Sequence, residues 1–260
     1  MLCESMSRYF FRDPEPGLKG LSWIATPDNT DLEYMKYGRI RLNSDERFDI
    51  LTNSEEMVLL AMRGECKISV GSQSFNIRKH CALYVPRSSE VKVLALTDID
   101  LAVFSAPAQK KYATYFANID EILGRSDKHR VVGRESAKRE VITLIGEDVM
   151  ADRLLVGVTW TMKGNWSSWP PHRHGDILEE VYVFYDMPEL AFGIQLVYDD
   201  LDNIRFIGIV RNGDAVIIPR GYHPNVAAPG FILKYIWAMC ARRPRIDRVY
   251  GKVEVQEGYE

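Results

Sequence analysis

His172 and His174 stand two residues apart, directly after Pro170-Pro171. On an extended strand, side chains at i and i+2 project from one face, so both imidazoles can reach one ion. Glu179 and Glu180 follow and open the apolar run Val181 to Tyr185. His223 comes after the turn Pro219-Arg220-Gly221-Tyr222. Two histidines from one strand, a carboxylate from the next and a histidine from a later strand form a four-ligand set: His172, His174, Glu180 and His223. Imidazole with carboxylate suits one divalent transition metal, zinc first, with manganese, iron, nickel or cobalt as alternatives. An H-x-H pair by itself reads as readily as two surface or core-bonded histidines. The carboxylate and the later histidine lift it above that reading. His80 and His129 have no such company and are expected to be structural or exposed. Alternation puts Glu180, Tyr182 and Phe184 on one strand face and Glu179, Val181, Val183 and Tyr185 on the other. Only one of the two glutamates can therefore face the ion.

The elements that must position these residues are mostly strands. Short runs rich in Val, Ile, Leu and Tyr, such as Met57 to Met62, Cys66 to Val70, Leu154 to Met162 and Ala215 to Ile218, are punctuated by Gly, Pro, Asn and Asp. One stretch differs. Tyr112, Tyr115, Phe116, Ile119 and Ile122 have helical spacing, which predicts a linker helix over Pro107 to Leu123. The flanking segments look like copies. Glu55-Glu56-Met57-Val58 and Leu83-Tyr84-Val85-Pro86-Arg87 answer to Glu179-Glu180-Val181-Tyr182 and Val216-Ile217-Ile218-Pro219-Arg220. Two similar all-β halves suggest a bicupin, two jelly-roll (double-stranded β-helix) units joined by a short helix. The expected division is 1–106 for an N-terminal half, 107–130 for the linker and 131–260 for the metal-binding half. The first half has no H-x-H, and Glu90 stands where His223 would fall. That half reads as a metal-free structural copy that supplies an interface. In cupins the ligand carboxylate sits immediately before the apolar strand, which favours Glu180 and leaves Glu179 as a supporting group or a loop charge.

Composition narrows the partners. The chain has 260 residues, a formal net charge of −3 and a pI near 6.0. No basic excess points to nucleic acid or an anionic membrane. No apolar run is long enough to span a bilayer. The N-terminus carries Glu4, Arg8 and Arg12 and no apolar signal core. Cys3, Cys66, Cys81 and Cys240 show no paired spacing and are expected as reduced thiols, Cys66 and Cys240 as core fillers. These features fit a cytoplasmic protein with a small-molecule partner, expected to assemble as a homo-oligomer.

The stretch Gly164-Asn165-Trp166-Ser167-Ser168-Trp169-Pro170-Pro171-His172-Arg173-His174 resembles the 5-deoxy-glucuronate isomerase family of inositol breakdown. The resemblance continues through Leu178-Glu179-Glu180, Ala191 to Tyr198, Val216 to Pro224 and, upstream, Ala137-Lys138-Arg139. Two features are instead similar to the 5-keto-4-deoxyuronate isomerases of pectin breakdown. They are the run Glu180 to Met187 with Tyr235 to Met239, and the short loop between His174 and Glu179. Both groups isomerise a deoxy uronic sugar. The resemblance therefore implies an aldose–ketose isomerase, with a metal to hold the carbonyl and hydroxyl oxygens and a base to move a proton. Glu179 or Glu180 is the implied base, and Tyr182 or Tyr222 the group that polarises an oxygen. The substrate carboxylate asks for Arg139, Arg220 or Arg173, because a guanidinium fork matches a carboxylate. Trp166 and Trp169 are expected at the cavity mouth, and Gln195, inside the matched Ala191 to Tyr198 run, as a further substrate contact. The competing readings are a cupin oxidase or dioxygenase using the same ligands, and a non-catalytic cupin that binds a sugar acid.

Overall fold

Strand Leu178–Phe184 is buried along its whole length. Its alternation explains why. Tyr182 and Phe184 pack into one apolar cluster within the C-terminal half. Val181, Val183 and, just beyond, Tyr185 pack into another that also contains Val58, Leu60 and Phe104 of the N-terminal half. The strand is thus sandwiched, and its polar members must be satisfied internally.

The computed structural model describes residues 8–13 and 19–259. Leu178–Phe184 is the third strand of a seven-stranded sheet. Its order is Phe10–Phe11, Ala215–Ile218, Leu178–Phe184, Leu233–Ala241, Leu154–Thr161, Arg139–Ile145, His129–Val132. A four-stranded sheet of Trp166–Ser167, Asn225–Ala227, Gly193–Asp200 and Asn203–Val210 belongs to the same half. The N-terminal half repeats the plan with six strands ordered Tyr115–Ala117, Ala82–Val85, Glu55–Arg63, Ile99–Pro107, Lys36–Leu42, Gly20–Ala25, and four ordered Arg47–Leu51, Glu90–Ala95, Glu65–Val70, Gln73–Arg78. The chain is all-β, a duplicated jelly roll of the cupin kind. The halves are interleaved: Phe10 and Phe11 cross over to pair with Val216 and Ala215.

The register corrects the internal alignment by one residue. Met57 pairs with Val85, and Glu180 pairs with Ile218. Since Val85-Pro86-Arg87 answers to Ile218-Pro219-Arg220, Met57 answers to Glu180 and Glu56 to Glu179. The N-terminal half therefore has a methionine at the ligand carboxylate position. Glu90 stands at the His223 position, but it is exposed and lies beside Lys92.

Glu56 and Glu179 perform the same task in opposite directions. The Glu179 carboxylate accepts from the backbone N–H groups of Glu33, Tyr34 and Met35 at 2.8, 2.9 and 2.6 Å. That of Glu56 accepts from Asp152, Arg153 and Leu154 at 2.8, 2.6 and 2.8 Å. Each half thus clasps the entry to a central strand of the other, Lys36–Leu42 or Leu154–Thr161. Burial raises the Glu179 carboxyl above its ordinary value, and the three amides oppose that shift.

The linker is not the helix that its spacing predicts. Pro107 ends strand Ile99–Pro107, Tyr115–Ala117 pairs with Ala82–Tyr84, and only Ile119–Ile122 is helical. The Asp152 carboxylate takes the amides of Gln109 and Lys110, so the backbone there is bonded away from a helix. Of the residues with that spacing, Ile119 and Ile122 are buried in the shared core, and Tyr112, Tyr115 and Phe116 pack against it partly buried. Cys66, Cys81 and Cys240 are buried free thiols, and Cys3 lies outside the described residues. Among the described residues no helix is long and apolar enough to cross a membrane.

Candidate metal centre

Three imidazoles and one carboxylate converge inside the C-terminal half. His172 lies on the short strand His172–Arg173, and His174 on the turn that follows. Glu180 faces inward from Leu178–Phe184. His223 follows Gly221, whose φ of +96° and close approach to the Tyr198 carbonyl leave no room for a Cβ. Glycine is required there, and the turn it makes sends His223 inward. The ligand atoms of His172, His174 and His223 all lie within 4.8 Å of one another. Glu180 Oε2 is 3.3 Å from His174 Nε2 and 3.2 Å from His223 Nε2. The 3.2 and 3.3 Å separations suit donors about 2.0–2.2 Å from a common centre.

The hydrogen bonding fits a ligand set. His223 Nε2, both ring nitrogens of His174 and both oxygens of Glu180 are buried without a hydrogen-bond partner. Leaving a buried polar atom unpaired costs about 1–3 kcal/mol, and the group of His174 Nε2, His223 Nε2 and the Glu180 carboxylate fits a bound cation. His172 Nδ1 donates to the Pro170 carbonyl at 3.0 Å, and His223 Nδ1 to the Gly221 carbonyl at 2.9 Å. A carbonyl only accepts, so in both rings the proton is on Nδ1 and the Nε2 lone pair is directed inward. Burial, with His223 and His174 close by, lowers the His172 pKa to about 3. Burial works to raise the Glu180 carboxyl, but the two facing histidines outweigh it and hold the group at about 2. A neutral His172 and an ionised carboxylate are the states a divalent metal takes.

The sequence from 14 to 256 matches the KduI/IolB family. The chain belongs to that family. Among KduI/IolB relatives, the 5-deoxy-glucuronate isomerase of Geobacillus thermodenitrificans is 30% identical over 251 residues, 90% of each chain. That of Bacillus subtilis strain 168 is 27% identical, over 89% of this chain and 92% of the relative. The crystal structure of an IolB-like protein from Salmonella typhimurium superposes with a TM-score of 0.84 at 25% identity, covering 96% and 97% of the two chains. Bacillus subtilis oxalate decarboxylase shares the fold at a TM-score of 0.62 and 11% identity.

Around the metal centre of this KduI/IolB chain lie two connected clefts, of about 70 and 240 Å³, that share Arg139, His172, Met239 and Tyr250. Tyr182 lines the smaller one beside Glu180, its hydroxyl 2.7 Å from Ser168 Oγ. Burial, then the neighbouring Glu180, raises its pKa well above 10, so the hydroxyl keeps its proton and can donate. Arg139 is the one cationic side chain lining either cleft among the described residues. Its guanidinium also donates to the carbonyls of Ala137 and Trp169, both at 2.8 Å. Arg139→Gln should raise KM for an anionic substrate roughly 10–100-fold, the loss of a charge-assisted hydrogen bond, while kcat changes little. Steady-state kinetics on the metal-loaded protein checks this, and a fall in kcat with KM unchanged contradicts it.

Several residues expected at the site lie elsewhere. Glu179 belongs to the opposite strand face and is held by three amides, so it is not placed to act as the base. Tyr222 lines neither cleft; it pairs with Tyr198 across a bridge, and its ring lies tilted against that ring at 5.5 Å. Arg220 is exposed. Arg173 forms an ion pair with Glu254 and lies over the Tyr222 ring. Gln195 is fully buried, and its amide donates to the carbonyls of Leu196, His223 and Pro224, so it fixes the His223 turn rather than touching a ligand. Trp169 lines the larger cleft, and Trp166 packs behind it at 5.0 Å. His80 bonds the Tyr185 hydroxyl, and His129 pairs with Glu140, each a structural contact. Sequence reasoning missed Ser168 and the segment from Tyr250 to Val255, which lines the larger cleft with Tyr250, Gly251, Val253 and Val255.

Proposed function

We propose that this chain is a metal-dependent aldose–ketose isomerase of a deoxy uronic sugar, with 5-deoxy-glucuronate of inositol catabolism as its substrate. The observation that carries the reading is the convergence of His172, His174, Glu180 and His223, with unpaired ligand atoms on the last three, beside clefts whose one Lys or Arg among the described residues is Arg139. The names of the relatives point the same way. A divalent ion held there supplies a Lewis acid for adjacent carbonyl and hydroxyl oxygens. The protein's own part is to bind the sugar carboxylate at Arg139 and to donate to a substrate oxygen from the Tyr182 hydroxyl. With Glu179 turned away, the oxygens lining the smaller cleft are those of Glu180, Tyr182, Ser168, Thr159, Tyr235 and Tyr250, and the group that moves the proton between neighbouring carbons is sought among them.

A second reading has one feature in its favour. The connection from His174 to Leu178 is only Gly175-Asp176-Ile177, as short as in the pectin-branch isomerases, and it adjoins the ligands. The substrate would then be a 5-keto-4-deoxyuronate. Zinc is the first metal to test, then manganese, iron, cobalt and nickel. A cytoplasmic homo-oligomer is proposed, supported by the outward row Ile194, Ile207 and Ile209, which is 38%, 51% and 46% exposed.

The test is turnover without oxygen or nicotinamide. Anaerobic conversion of 5-deoxy-glucuronate, abolished by a chelator and restored by one of these metals, is the expected result. Obligate oxygen consumption would move the reading to an oxidase. Binding of the sugar acid without turnover would leave a non-catalytic cupin.

A further inference from the structure

We propose that the segment 251–255 is the specificity wall of the metal cavity, and that its apolar side chains select a sugar acid with a CH2 group where an ordinary uronate carries a hydroxyl. The inference rests on the isomerase reading and assigns the recognition of the deoxy carbon to named residues.

The wall is held at several points. Strand Glu254–Val255 pairs antiparallel with His172–Arg173, Val255 opposite His172 and Glu254 opposite Arg173. Arg173 Nε donates to Glu254 Oε2 at 2.8 Å, and the Gln256 amide to the Pro171 carbonyl at 2.9 Å. The Tyr198 hydroxyl donates to Gln256 Oε1 at 2.7 Å, and Tyr259 meets Trp169 edge-on at 5.2 Å. At the near end, Tyr250 stacks on Trp237 at 5.2 Å. Between these anchors, Gly251, Val253 and Val255 line the 240 Å³ cleft together with Arg139, His172 and His174.

The lining is mixed. Arg139, His172 and His174 offer charge and coordination, and Val253, Val255 and Met239 offer hydrocarbon beside them, with Val255 next to His172 and Met239 next to Glu180 on the paired strands. A sugar acid that places its carboxylate at Arg139 and its reacting oxygens at the ligands lays its remaining carbons against that hydrocarbon. A methylene is at home there. A hydroxyl loses its water and meets neither donor nor acceptor on a valine. An apolar wall of this kind rejects an added hydroxyl by up to about 100-fold.

The test compares 5-deoxy-glucuronate with glucuronate on the full chain carrying its purified metal, by calorimetric binding and by kcat/KM. The wild-type chain should prefer the deoxy sugar roughly 10–100-fold. Val253→Thr and Val255→Thr keep shape and strand propensity while adding a hydroxyl. At least one should lower that preference by about fivefold or more, mainly through tighter binding of glucuronate, with metal content unchanged. A preference unchanged in both variants overturns the proposal, as does a wild-type chain that binds both sugars alike. If a threonine variant frees the segment, seen as rapid trimming by carboxypeptidase, deletion of 251–260 becomes the deciding variant. Loss of preference on deletion supports the wall, and retained preference overturns it. Should the wild-type chain neither bind nor convert either uronate, the isomerase reading fails first and the proposal falls with it.

Discussion

His223→Ala is expected to empty the metal centre and to reduce turnover by about 1000-fold or more. His223 is fully buried, its Nδ1 is committed to the Gly221 carbonyl, and its Nε2 has no partner but the centre. Alanine removes one of four ligands and opens the remaining three to water, and a site that has lost a donor holds its ion far less tightly. A Lewis acid lowers the barrier by several kcal/mol, and each decade of rate corresponds to about 1.4 kcal/mol, which gives the expected factor. Metal analysis of the purified variant, alongside kinetics, decides the matter. His80→Ala and His129→Ala are the controls, because their partners are Tyr185 and Glu140 and neither touches the cluster. Full metal occupancy in His223→Ala would show that the ligand assignment is wrong.

The second large effect concerns stability rather than chemistry. Glu179→Ala should destabilise the fold by about 3–5 kcal/mol, because three buried amides lose their acceptor together. For a chain of this size that corresponds to a melting temperature lower by roughly 10 °C. Glu56→Ala should behave alike, since it performs the matching task for Asp152, Arg153 and Leu154. The folded fraction of Glu179→Ala should still carry its metal. Glu180→Gln reverses the pattern and loses metal affinity with a much smaller change in melting. Thermal unfolding and metal content, measured on the same preparations, separate the two neighbours. A Glu179 variant that melts normally but has lost its ion would flip the face assignment of the whole strand.

The centre was legible in the sequence because its cues are local. Two histidines two apart on a strand share a face whatever else the chain does, and alternation separates Glu179 from Glu180 without any knowledge of their partners. What local cues cannot carry is a contact made across the chain. Tyr115 and Phe116 have helical spacing, yet they lie in a strand because Tyr84 and Leu83 offer an edge to pair with. The acceptor for the Gln109 and Lys110 amides is Asp152, far along the sequence. The wall over the metal was invisible for the same reason. Val255 pairs with His172 across 82 intervening residues, and the two-residue strand Glu254–Val255 has no periodicity to read. Glu179 was misjudged because a carboxylate near a metal is ordinarily read as chemistry, and nothing nearby in sequence reveals three waiting amides at 33–35.

The crossed pair of Glu56 and Glu179 bears on how damage in this protein should be interpreted. Among the described residues the N-terminal half places no side chain in the cluster of His172, His174, Glu180 and His223, so by that cluster alone it would count as spare. Yet the loop at Glu33, Tyr34 and Met35 donates three hydrogen bonds to a carboxylate that sits back to back with Glu180 on the same strand, and Glu56 steadies the strand that begins at Leu154. Inherited loss of activity in a chain built this way need not map near its ion. A lesion at position 56, or in the turn at 33–35, is silent to any inspection confined to the catalytic half, and it reaches the reaction through folding alone.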